Sequence, residues 1–372
     1  MTGSTPAPTD APDGPFRPIG PGGSARALSR RTIVSLFALV VVLLVGAAGT
    51  LVHPAYVVLR AGPIYDTLGT GADGTTPLVR VAGAPTHPTT GTLDLTTVAQ
   101  YGGPGHPLDL WDLLGARLDP EAEILDRDAV YPPDATPEAV KEETAAQMAG
   151  SQHAAAAAAL RALGHAEEAR VEQVVPDGPA AVLLRRGDVI TAVDGTPVRR
   201  TAQVSTLVQE ARSAAVSLGV RRDGTTTTVR VPTRTLEGRR YVGVGLAPVF
   251  PGAPRVTIDA GEVGGPSAGT MFALAVYDKL TPGALTGGAK IAGTGTMGLD
   301  DRVGPIGGIR HKLVGAVDGG AAWFLAPAEN CPEVVGHVPD GLRVVKVSTF
   351  AQAREAVTAI GAGRGDALAG CG

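Results

Sequence analysis

Thr32–Val52 runs without a charged side chain. As a helix rising about 1.5 Å per residue, it is about 31 Å long, one bilayer hydrocarbon core. Arg26, Arg30 and Arg31 lie on its N-terminal side. That asymmetry predicts a single-pass membrane anchor over 32–52, with a cytoplasmic N-terminus and everything after it extracytoplasmic. Residues 1–31 form the preceding tail. Its first 25 positions are rich in Pro, Gly, Ser, Thr and Asp, which predicts disorder. A cleaved signal peptide is the rival, with Gly46-Ala47-Ala48-Gly49 as its small-residue stretch, but the length of the apolar run favours a retained anchor. Ser29-Arg30-Arg31 matches a twin-arginine signal poorly in its flanking residues.

Residues 54–166 read as an accessory segment of short strands (Tyr56–Leu59, Leu78–Val81, Thr92–Leu95) followed by one long helix. Thr136 is its N-cap, Pro137 occupies the first turn, and Gly164 ends the Ala-rich run after Leu163. No chemistry is visible in its strands. From 167 to 235 the pattern shifts to strands at Val171–Val175, Ala215–Val220 and Thr226–Val231, with a helix over Ala202–Ala214. From 238 to 360 strands alternate with helices. The strands are Val242–Leu246, Val256–Asp259, Lys290–Thr294, Ala322–Leu325 and Val344–Val347. The helices are Ser267–Lys279, Ile309–Val317 and Thr349–Ile360, giving a compact α+β domain with 361–372 as a C-terminal tail.

The chain's 372 residues are enough for two folded domains, and a hydrophobic share of 44% is enough for more than one core. A net charge of −4 with no Lys/Arg run gives no signal for nucleic acid. The histidines are scattered and no HExxH occurs, so neither a metal nor another cofactor is expected. Gly283–Lys290, the stretch nearest to a Walker A loop, lacks the following Ser/Thr, so ATP is not expected as a partner. Cys331 and Cys371 are the only cysteines. In an extracytoplasmic setting they are candidates for a disulfide tying down the tail.

Of 32 basic residues only Lys141, Lys279, Lys290, Lys312 and Lys346 are lysines. A lysine retained among arginines hints at a role that needs proton loss. Ser267 lies in Gly264-Gly265-Pro266-Ser267-Ala268-Gly269, and Lys312 follows Pro305-Ile306-Gly307-Gly308-Ile309. A serine hydroxyl becomes a nucleophile when a neighbouring base takes its proton, and a lysine can serve only when neutral. Bringing its pKa from about 10.4 to about 7–8 takes roughly 3–4 kcal/mol of disfavoured charge. Ile306, Ile309, Leu313 and Val314 surround Lys312 in sequence, and Asp318 is the only acid within ten residues. A helix starting at Ser267 would aim free N–H groups at a developing oxyanion, and the flanking glycines let a substrate approach.

Two resemblances organise these observations. The order GPAA…L…GDVI…VDGTPV over 167–235 resembles a PDZ domain of the bacterial protease-associated kind. That implies capture of an extended peptide by strand addition, or packing that gates a neighbour. Residues 238–360 resemble the proteolytic domain of Lon-type serine peptidases. The resemblance rests on Gly265-Pro266-Ser267-Ala268-Gly269, Thr294-Gly295, Gly304–Ile309 with Lys312, and Pro327-Ala328-Glu329-Asn330, in the family's order. It implies Ser267 as nucleophile, Lys312 as general base and Thr294 as the residue orienting the amine. Gly265, Pro266, Ala268 and Gly269 would form the nucleophile turn and its oxyanion backbone. It also implies a homo-oligomer and polypeptide substrates. Two departures stand out: Gly264 replaces an acidic residue, and Thr296 replaces a glutamate.

The whole then resembles a membrane-anchored, ATP-independent PDZ–Lon endopeptidase acting on unfolded or membrane-proximal proteins. A non-catalytic PDZ adaptor is the alternative of a different class. Rival bases are Lys279, Lys290 and His311. The segment 265–269 also fits G-x-S-x-G, with Asp318 and His337 in hydrolase order, but that fold needs several βα units before its serine.

Overall fold

A computed structural model describes residues 29–71, 74–261 and 263–372, so nearly all of the expected N-terminal tail lies outside the described residues. The chain divides at Val52/His53 into two units.

The first unit is a helix, Arg30–Leu51, whose N-cap Ser29 accepts the Thr32 N–H. It is long and apolar enough to cross a membrane, with a mean hydropathy of 2.6. Its large apolar side chains are exposed along its length.

The second unit contains two large sheets. One has the order Arg343–Val347, Trp323–Pro327, Lys290–Gly293, Thr92–Tyr101, Tyr56–Asp66, Glu123–Asp126. The first four strands run parallel, and the last two complete an antiparallel edge. Side-chain alternation splits the strands between two cores. Leu93, Leu95, Ile291, Leu325 and Val345 face a core shared with the helices Pro137–Ala162, Gly269–Leu280 and Phe350–Gly361. Ala292, Phe324 and Ala326 face the other way, onto Ile309, Leu313 and Ala316 of the helix Ile309–Asp318. The serine-bearing and lysine-bearing segments therefore belong to opposite faces of one sheet.

The other sheet, in the order Val244–Val249, Glu168–Val174, Val189–Val193, Ala215–Arg222, Thr225–Pro232, is wholly antiparallel. The helix Thr201–Glu210 closes a separate core of Val171, Ile190, Val204, Val208, Leu218 and Val220.

Two expectations from the sequence change here. The segment 54–166 is not an accessory to 238–360, because its strands Tyr56–Asp66 and Thr92–Tyr101 are central members of the same sheet. The strand expected at Val242–Leu246 forms at Val244–Val249, and it pairs with Glu168–Val174 in the other sheet. Alternation identifies a strand, but not its partner across long sequence separations. The PDZ-like sheet is thus inserted within the proteolytic fold. The helix Leu110–Leu118, with its Asp109/Asp112 capping box, was not anticipated from the apolar pattern.

Candidate active site

Ser267 sits in the turn leading to the helix Gly269–Leu280, whose N-cap is Ala268. The helix therefore starts two residues later than expected, and its first amides are occupied: Gly269 N–H donates to Pro266 O and Thr270 N–H to Gly295 O. Among the described residues, the N–H groups of Ser267 and Ala268 have no acceptor, and these are the amides left to meet an oxyanion.

The turn is held from several sides. Gly265 takes φ +80°, which glycine adopts without strain. From the long helix, Ser151 Oγ donates to Pro266 O at 2.8 Å and Thr144 O accepts the Gly265 N–H at 3.3 Å. A Cβ on Gly269 would lie 2.7 Å from Ser151 Oγ and 2.8 Å from Met297. That glycine is what allows the long helix and residue 297 to close on the turn. On its other flank, Gly295 N–H and Thr294 Oγ1 both donate to Ser267 O, at 2.8 and 3.0 Å.

Lys312 reaches this point from the opposite face of the sheet. Its helix begins after Gly308, at φ +66°. The approach loop is pinned by Asn330, which accepts the Ile306 N–H and donates to Ile306 O at 2.9 and 2.8 Å. Lys312 is 2% exposed. Its Nζ lies 3.1 Å from Ser267 Oγ, 2.7 Å from Thr96 O and 3.2 Å from Thr294 Oγ1.

Proton counting limits how a neutral amine could bond here. Thr96 O can only accept, so it takes one N–H. The Thr294 hydroxyl spends its proton on Ser267 O, so its oxygen accepts a second N–H. A neutral amine has two N–H bonds and one lone pair, and the lone pair is left facing the Ser267 hydroxyl. Burial lowers the Lys312 pKa from 10.5 to about 8, with no carboxylate opposing the shift. As an ammonium Lys312 donates to all three oxygens; as a neutral amine it would turn its lone pair toward Ser267 Oγ.

An open cleft of about 380 Å³ gives access, lined by Ser267, Lys312, Tyr65, Thr97, Val98 and Val263 among others. Tyr65, Thr97 and Val98, and the Thr96 carbonyl, come from strands in which the sequence displayed no chemistry. A backbone carbonyl leaves no trace in residue type, and only the sheet register brings Thr96 opposite Lys312.

The rival bases lie elsewhere. Lys279 Nζ donates to Leu68 O, and Lys290 Nζ to Gly319 O. His311 pairs with Glu123 at 3.1 Å. His337 is exposed and bonded to Val335 O, so no Ser–His pair forms with it. Cys331 and Cys371 are joined in a disulfide.

A second concave site of about 460 Å³ lies in the PDZ-like part, between the helix Thr201–Glu210 and the edge strand Val244–Val249. Val204, Val208, Val242 and Leu246 supply apolar walls, and among the described residues Arg240 is the one charged side chain lining it. Leu299, from the proteolytic fold, forms part of the same wall.

Fold and site together define a protein of two modules: an antiparallel sheet closed by one helix, inserted in a mixed sheet that brings Lys312 to Ser267. Residues 170–222 match the PDZ domain model, and residues 256–359 match the C-terminal proteolytic domain of Lon protease (S16). The chain thus carries a PDZ domain and a Lon-type proteolytic domain. A Lon protease of Lachnoclostridium phytofermentans is 38% identical over 89 residues, covering 23% of this chain and 11% of that one. Lon protease 2 of Herpetosiphon aurantiacus is 31% identical over 166 residues, covering 42% and 18%. The chain thus spans only about a tenth to a fifth of these relatives' length. Among solved structures, the PDZ domain of an SdrC-like protein from Listeria innocua aligns at 20% identity with a TM-score of 0.20, over 21% of this chain and 92% of that one.

Proposed function

We propose that this protein is a serine endopeptidase with a Ser267–Lys312 dyad. The observation that carries the reading is the buried Lys312 Nζ at 3.1 Å from Ser267 Oγ, held by Thr96 O at 2.7 Å and Thr294 Oγ1 at 3.2 Å. Ser267 Oγ attacks a peptide carbonyl while its proton passes to Lys312 Nζ. The carbonyl oxygen becomes an oxyanion facing the Ser267 and Ala268 amides. On collapse the C–N bond breaks and Lys312 returns the proton to the departing amine, leaving an acyl-Ser267. Water, deprotonated by the same amine, then adds to the ester carbonyl; the C–Oγ bond breaks, the acid departs and Lys312 returns the proton to Ser267 Oγ.

The substrates are unfolded or membrane-proximal polypeptides, and no step consumes ATP. An open cleft suits an extended segment, and the edge strand of the PDZ domain suits capture of one by strand addition. The apolar helix Arg30–Leu51 serves as a single-pass anchor, with the N-terminus cytoplasmic and the catalytic domain outside. The Cys331–Cys371 disulfide is consistent with an oxidising compartment. The active form is a homo-oligomer.

The test is mass spectrometry of an unfolded protein incubated with the full-length chain in detergent micelles. Cleavage by the wild type, absent with Ser267→Ala and Lys312→Ala, is the expected result. Cleavage that survives Ser267→Ala overturns the reading.

A further inference from the structure

The strands Thr296–Met297 and Val303–Gly304 form a small antiparallel hairpin. Its base belongs to the dyad. On one side Thr294 and Gly295 both hold the Ser267 carbonyl. On the other, the chain passes through Gly304 and the Asn330-pinned Ile306 to the Lys312 helix. Its tip reaches the PDZ groove while staying held to the proteolytic fold, where Phe350 N–H donates to Asp301 O. Leu299 is half-buried against the core that holds the serine-bearing helix, and it also walls the PDZ groove.

Asp301, two residues on, is tied to that groove by charge. Its Oδ2 accepts from Arg200 Nη1 at 2.9 Å, and Arg200 immediately precedes the groove helix. Its Oδ1 accepts from Arg161 Nε at 3.0 Å. Arg161 also pairs with the buried Glu167 at 2.6 Å, and Glu167 accepts the Thr201 N–H at the first residue of the groove helix. The Arg161–Glu167 pair is shielded from solvent, at 6% and 1% exposure, while Arg200 at its outer end is 47% exposed. Such a network holds its geometry better than a surface pair, and losing one member leaves the others unpaired.

We infer that Leu299 is a specificity-determining residue which the proteolytic domain lends to the PDZ groove, so that polypeptide bound there is sensed by the hairpin whose base holds the dyad. This rests on the proposed capture of polypeptide by the PDZ domain. The occupant is an extended apolar segment paired with the free edge of Val244–Val249, its carboxylate end toward Arg240, which lines the groove and also donates to Ser213 O. One of its side chains packs on Leu299. Coupling of this kind is reciprocal for binding: a groove ligand changes affinity at Ser267 by the same factor as a Ser267 ligand changes affinity in the groove.

The experiment uses the full-length protein in detergent micelles and two probes. One is a fluorescein-labelled decapeptide of alternating apolar and polar residues, ending in valine with a free carboxylate. The other is a reversible peptide boronate, whose boron bonds to Ser267 Oγ as the hydroxyl proton moves to Lys312. Peptide affinity is read by anisotropy with and without boronate, and boronate affinity with and without peptide. Val208→Asp, in the groove helix, should abolish peptide binding. Leu299→Ala should weaken it about fivefold or more and remove the reciprocal effect, while Leu299→Met should retain both. Equal peptide affinity in wild type and Leu299→Ala, or independence of the two probes in wild type, overturns the inference while polypeptide capture stands. Absence of peptide binding to the wild type overturns the capture reading, and this inference with it.

Discussion

Lys312 carries its activity and its cost in the same proton. Its pKa of about 8 means that roughly a tenth of the molecules hold the free amine at pH 7 and half at pH 8. The rate of Ser267 acylation should therefore rise about tenfold per pH unit below 7 and level off above 8; a profile flat from pH 6 to 9 contradicts this. Lys312→Arg keeps the charge and cannot lose it, so it should abolish acylation as fully as Lys312→Ala. The stability linkage has the opposite sense to that of a paired carboxylate. The unfolded lysine holds its proton up to about 10.5 and the folded one only to about 8, so the unfolded state binds more protons between these values. Burying the ammonium costs about 3 kcal/mol below pH 8, and this penalty disappears as pH rises toward 10.5. Denaturant titrations should show the stability of wild type rising relative to Lys312→Met across that window; parallel curves would rule out the depressed pKa. Thr294→Val removes both the hydroxyl held to Ser267 O and the acceptor for the amine. It should lower kcat by about 10–100-fold, with Thr294→Ser restoring most of it, as steady-state kinetics would register.

Among the elements, the loop into the lysine helix and the turn holding the serine are positioned by side chains distant in sequence. Asn330 satisfies both polar groups of Ile306 from a buried site. Asn330→Ala should cost about 1–3 kcal/mol in thermal or chemical unfolding and lower kcat together with it; an unchanged kcat would show that the loop holds Lys312 without this pin. The long helix was legible because its N-cap, proline and terminal glycine are local signals, and it forms at Pro137–Ala162. The Ser267 and Lys312 segments were legible because glycine-rich turns and a lone lysine in apolar surroundings are written in residue type. What was not legible depends on pairing across long separations. The Thr96 carbonyl, the Ser151 clamp on Pro266 and the exchange of Val244–Val249 into the PDZ sheet all come from register, which alternation does not specify. The start of the serine-bearing helix was misplaced by two residues. Pro266-Ser267-Ala268 reads as a helix opening, yet Thr294 and Gly295 hold the Ser267 carbonyl outside the helical ladder.

At the scale of the whole molecule, the insertion of the PDZ domain within the proteolytic fold gives it two chain connections to that fold, beside the Arg200–Asp301 and Arg161–Glu167 ion pairs. The C-terminal tail is fixed separately, by the Lys346 N–H donating to Ala369 O and by the disulfide across 40 residues. Closing a loop of that length is worth about 4 kcal/mol by the chain-entropy relation. The double variant Cys331→Ser with Cys371→Ser should therefore unfold at a clearly lower temperature by calorimetry, and an unchanged transition would show that the tail is held without the bond. The central claim, that Ser267 is the nucleophile and Lys312 its base, is met most directly by labelling with a fluorophosphonate and locating the adduct by peptide mass. The account predicts an adduct on Ser267 alone, forming with an apparent pKa near 8 and slowed about a thousandfold or more in Lys312→Ala. An adduct on another residue, or equal rates in wild type and Lys312→Ala, would contradict it.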